Sequence, residues 1–147
     1  MEQDERTVVL RAQEMVRESV SVHGQVLPGA VMLVARDPQT GALLPKRQAI
    51  GLTLDQPFES PDELASFVNE LRIEALRLDA SAVALVGEAT ADIVDGTPMR
   101  VTLIRVEDEG GVDLMHAKIE EGRVGAFLES PGAPDILDEP ILPRAPH

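Results

Sequence analysis

The chain has 147 residues, with 26 acids against 13 lysines and arginines for a formal net charge of −13, and no cysteine, tryptophan or tyrosine. That length suits a single domain, and the missing cysteine excludes disulfides, thiolate metal sites and a cysteine nucleophile. The bases are dispersed and rings are scarce, which argues against a phosphate-backbone or base-stacking partner, so no nucleic acid is expected.

Only Phe58, Phe67 and Phe127 carry rings, so the core must be aliphatic. No run reaches the ~18 apolar residues of a membrane span, and the opening "MEQDERT" is acidic without an apolar stretch behind it. The expectation is a cytoplasmic protein with no membrane partner.

Residues 3–22 read as a helix, with Val9, Ala12, Val16 and Val20 at three- and four-residue steps. Glu2, Asp4 and Glu5 suit its positive end, and Gly24 supplies a stop. "AVMLVAR" (30–36) is a continuously apolar run and predicts a buried strand. After the turn residues "DPQTG", the segment 42–52 returns as a second strand. Pro45, Lys46 and Arg47 assign it to an edge or to a bulge.

Ser60-Pro61-Asp62-Glu63 forms a capping box with proline at the first helical position. Leu64, Phe67, Val68, Leu71, Ala75 and Leu78 follow at helical spacing and predict a helix laid on a sheet. "SAVALVG" (81–87) is apolar enough for a central strand, and 99–108 and 111–121 alternate as strands joined by glycine turns. Residues 123–129 read as a last strand. From 130 to 147 five prolines predict an extended tail in solvent, with Ile136, Leu137, Ile141 and Leu142 as its only docking points.

The fold class expected is therefore α+β: an antiparallel meander of about five strands with two main helices, in the order α-β-β-α-β-β-β(-β), over residues 1–129. Both helices are expected on one face. This order resembles the roadblock and profilin-like arrangement of an antiparallel sheet covered by helices. At a finer level, "HGQVLPGAVMLVARDPQTGALL", the capped helix and "LRLDASAVALVGEA" resemble a loose group of short uncharacterised bacterial and phage proteins. The matching residues are His23, Gly24, Pro28, Val86, Gly87, Glu88 and Ala89, with Thr90 where that group carries an aromatic residue. The resemblance spans roughly residues 23–121. It implies the fold and brings no activity, cofactor or ligand set with it.

Candidate chemistry gathers in "ALVGEATADIVDGT" (84–97). Glu88 at a strand end, with Asp92 and Asp95 behind it, carries the oxygens that a hard divalent cation requires. The same residues also read as a strand emerging into water, Asp95-Gly96 being a turn dipeptide. His116, mid-strand, is placed to meet Glu88 across adjacent strands as an acid–base or metal pair. Its plainer role is a hydrogen-bonded strand histidine. His23 suits a helix C-terminus, and His147 is given no role.

Ser60 is taken up by capping. No G-x-S-x-G elbow and no phosphate-cradling glycine loop occurs, so neither a nucleotide nor another cofactor is expected. Glu107, Asp108, Glu109, Asp113, Glu120 and Glu121 suggest an acidic rim at one end of the meander, with only Lys118 against them. The leading expectation is a non-enzymatic domain that self-associates as a homodimer or binds another protein. The alternative is a metal-dependent hydrolase or lyase using Glu88, His116 and Asp92.

Overall fold

In the computed structural model, which describes residues 3–92, 98–130, 135–137 and 139–143, two helices and seven strands follow one another. They are α1 (Gln3–His23), β1 (Gly29–Arg36), β2 (Leu43–Thr53), α2 (Pro61–Arg77), β3 (Ala82–Asp92), β4 (Pro98–Asp108), β5 (Gly111–Glu120), β6 (Arg123–Val124) and β7 (Leu128–Glu129). The sheet runs β2-β1-β3-β4-β5-β6, with β7 also on β5, and every pairing is antiparallel. The chain is thus an α+β domain in an element order close to that expected.

The helices lie on opposite faces of the sheet, not on one. Val31 and Leu33 of β1 join the cluster under α1 with Val8, Val16 and Val20, whereas Ala30, Met32 and Val34 join the cluster under α2 with Phe67, Leu71 and Leu78. The physical reason is the composition of β1, where every residue from Gly29 to Ala35 is buried. A strand apolar on both faces needs cover on both, and each fully buried Val or Leu contributes about 1.5–3 kcal/mol only if that cover is present. The connectivity provides it. β2 and β3 are both antiparallel to β1, so they run parallel to each other, and α2 is the crossover that passes over β1 between them.

Local signals place these elements. The Ser60 side chain accepts from Glu63 N at 3.3 Å, while the Glu63 carboxylate reaches back to Glu59 N at 2.8 Å, one residue before the cap. Gly24, at φ +72°, ends α1 with its N–H on Val20 O at 2.9 Å. In β2, Leu44, Pro45, Lys46 and Arg47 together stand opposite Ala35, since Val34 pairs with Gln48 but Arg36 with Leu43. The proline is therefore accommodated in a bulge on an edge strand, as its missing N–H requires.

The expected strand at 123–129 is interrupted. β6 pairs with Ile119 and Glu120, β7 with Met115 and His116, and between them Phe127 turns onto the α1 cluster under the Arg17 guanidinium, 5.1 Å from its ring centre. Within the proline-rich segment, Ile141 and Leu142 are 2% and 7% exposed in the α2-side core. At these residues the chain is part of the domain's packing rather than solvated.

Candidate functional site

Two constellations of charged side chains stand on opposite faces of the sheet, one around Glu88 and one around Arg105. Glu88 stands opposite Thr102 of β4, and Thr102 opposite Ala117 of β5. Paired residues share a face and neighbours alternate, so Glu88 projects on the α1 side, as Val86 does, and His116 projects on the α2 side. The pair suggested for acid–base work is not assembled. Asp92 ends β3, while its side chain and the whole of Asp95 lie outside the described residues. No group of three or more His, Asp or Glu side chains among the described residues is arranged to hold a metal ion.

Glu88 is instead a staple between the sheet and the α1–β1 connection. Its carboxylate takes Arg100 Nε at 3.0 Å and the second guanidinium nitrogen at 2.9 Å, and it accepts the backbone N–H of buried Val26 at 3.0 Å. Arg100 then reaches Gly24 O at 2.7 Å. Burial pulls the Glu88 carboxyl upward, but the Arg100 and Val26 donors outweigh it and hold the group below the usual carboxylate range. The ion pair itself is half in water, with side-chain exposures of 45% and 25%, so it contributes little. The orphaning of Val26 N–H dominates, and Glu88→Ala is expected to lower stability by about 1–2 kcal/mol in urea unfolding. A loss below a few tenths would mean that water replaces the carboxylate freely.

His116 places Nδ1 2.6 Å from Ser130 Oγ, beside the β5–β7 pairing. That contact fastens β7, where Ser130 N also donates to Leu114 O at 2.9 Å.

The second constellation is one that sequence reasoning missed. Arg105 of β4 has a fully buried side chain and projects on the α2 side, where it meets two carboxylates. It donates to Glu107 Oε1 at 2.7 Å and forks onto Asp135 at 2.6 and 2.9 Å. Glu107, only 3% exposed, uses both oxygens again on the tail, accepting Ile141 N at 2.9 Å and Leu142 N at 2.7 Å. Arg72 of α2 completes the clamp on Pro140 O and Glu139 O at 2.9 and 3.2 Å.

The bonds from Arg105 lower the Asp135 carboxyl, against burial, with the Leu137 N–H adding to the effect. Burial works against the Arg105 charge, but Asp135 and Glu107 raise its proton affinity above the ordinary arginine value. A charge buried this completely is tolerated only when every donor is matched.

The acidic rim needs correction on the same grounds. Glu107 is interior, and Asp108, Glu109 and Asp113 stand at one end of β5 while Glu120 and Glu121 stand at the other. Nine residues of strand, about 30 Å, separate the two ends. The signal for the missed cluster was present in "RVE": an arginine and a glutamate two apart, on the strand face that also carries Leu103.

Fold and constellations together define a three-layer α+β domain whose conspicuous charged residues brace its own connections. Comparison with known proteins finds no family model, no curated protein and no solved structure that matches the chain. No helix among the described residues is long and apolar enough to cross a membrane.

Proposed function

We propose that this chain is a non-enzymatic, self-associating domain that joins a second copy through β2. One observation carries the reading. β2 is an 11-residue strand at the edge of the sheet, bonded to β1 on one side and to no strand among the described residues on the other. Alternate residues of such a strand direct N–H and C=O groups outward, and these groups template another strand.

Charge selects the occupant and the register. Lys46 and Arg47 guard the first half of β2, whereas residues 48–54 carry no charge. Antiparallel pairing about Ile50 matches Ala49 with Gly51, Gln48 with Leu52 and Arg47 with Thr53, so no like charges meet. Centring the pair on Lys46 would set lysine against lysine, which is destabilising. Leu52, 48% exposed, lies within the uncharged stretch. A two-fold pair of this kind would join two sheets into one. The cytoplasm is the setting proposed, on the cysteine-free composition.

Light scattering over a range of concentrations tests the reading. The wild-type chain is expected at twice 15.9 kDa. The double substitution Gln48→Lys with Leu52→Lys, both at exposed positions, sets lysines against each other twice and is expected to return the mass to 15.9 kDa. A wild type that stays at the single mass, or a double variant that keeps the doubled one, would refute it.

A further inference from the structure

Glu5 lies in the first turn of α1 and is 8% exposed. A carboxylate at a helix N-terminus is ordinarily favoured in its ionised form. This one accepts no hydrogen bond from any donor among the described residues. Its neighbours across the layer are acids: Asp108 at the end of β4 and Asp113 of β5, both within hydrogen-bonding reach, and Glu129 of β7. These four groups line one cavity of about 530 Å³ at the β4–β5 turn, and no lysine or arginine among the described residues lines it.

The remaining polar groups nearby are occupied elsewhere. Asp4 of α1 accepts from Ser81 Oγ, ahead of β3, at 3.0 Å, and one Asp108 oxygen accepts Gly110 N at 2.8 Å. Arg6 of α1 is exposed. A buried carboxyl that faces carboxylates, with no lysine or arginine among the described residues lining its cavity, is favoured by a positive species that completes the contact.

We propose that this species is a proton: Glu5 takes one from solvent on acidification and donates it in a hydrogen bond to Asp113 or Asp108, clasping the first turn of α1 to the β4–β5 turn. Raising the pH returns the proton to solvent, leaves carboxylates facing one another, and loosens that end of α1. The clasp is thus a pH-sensitive contact built between a helix and the sheet, independent of β2 and of self-association.

Burial first, and Asp113 and Asp108 next, push the Glu5 carboxyl up from 4.5 to about 7. A group with a raised folded-state pKa adds stability that is complete below the unfolded value and is lost as pH rises through the folded one. The window is therefore about pH 4.5 to 7. Glu88 and Asp135, whose carboxyls are lowered, lose their contributions only in more acid solution.

The test compares urea unfolding of the full chain and of Glu5→Gln, a neutral isostere, at matched ionic strength. From about pH 8 to about pH 5.5 the wild-type folding constant is expected to rise roughly 30-fold relative to that of Glu5→Gln. A ratio that does not change with pH would overturn the proposal. Asp113→Asn, at an exposed position, keeps the test open if Glu5→Gln does not fold: removing one facing charge is expected to shrink the wild-type rise, and an undiminished rise would count against the clasp. Calcium chloride at about pH 8 is expected to act equally on wild type and Glu5→Gln. A calcium-specific stabilisation confined to the wild type would assign the carboxylates to a metal and overturn the proton.

Discussion

Glu107→Ala is expected to destabilise the domain by about 3–5 kcal/mol, the range for removing one member of a buried ion pair. Three losses coincide. Arg105, with no side-chain exposure, keeps Asp135 but loses its more deeply buried partner. Ile141 N and Leu142 N lose their acceptors. The two apolar side chains that follow those amides are then held only by their packing, by Arg72 on Pro140 and Glu139, and by Arg105 on Asp135. Circular dichroism is the probe for urea unfolding, because the chain has no Trp or Tyr to fluoresce. Replacing Arg105 and Glu107 together with leucine is expected to be less harmful than Glu107→Ala, since the fully buried charges go together and Asp135, left without its guanidinium, is one-third exposed to water. A loss under about 1 kcal/mol for Glu107→Ala would mean that the tail contributes little to the fold.

Gly29→Ala is the second large effect, about 2–3 kcal/mol, and it arises from crowding. A Cβ at Gly29 would lie 2.7 Å from Leu52 O and 3.0 Å from Met15 Sδ, and one at Gly51 would lie 3.1 Å from Met15 Cε. Two glycines on neighbouring strands thus make the hollow into which Met15 of α1 settles. The methionine can swing away, but the Leu52 carbonyl belongs to the backbone of β2 and must move with its strand. Combining Gly29→Ala with Met15→Ala should therefore recover only part of the loss. Full recovery would show that β2 yields easily and that the hollow alone was at stake.

The parts of the fold that were legible in the sequence rest on local chemistry. The capping box at Ser60, the stop at Gly24 and the misfit of Pro45 each depend on a few neighbouring residues, and each appears where expected. The layer arrangement depends on what covers a strand. β1 carried that information, since an unbroken apolar run from Ala30 to Ala35 has no face left for solvent. The expectation of helices on one face set it aside.

The charged constellations were harder to read for a different reason. Glu88 finds its partners 12 and 62 residues away, and Arg105 finds Asp135 30 residues away. Strand alternation nevertheless fixed the faces: His116 and Ala117 cannot share one, so Glu88 opposite Thr102 could not meet His116 once the register was known. Register is a property of the assembled sheet, and no short window of sequence contains it. Glu5 was assigned to the helix N-terminus by its position, which is correct, but the acids facing it come from β4, β5 and β7.

The most direct measurement is amide hydrogen exchange along β2 as a function of protein concentration. In a two-fold pair centred on Ile50, the outward N–H groups of residues 48–53 donate to the second copy, so they should exchange slowly in concentrated solution and lose that protection on dilution. The inward N–H groups, bonded to β1, should keep theirs throughout. Outward amides that exchange as freely in concentrated as in dilute solution would contradict pairing through this edge.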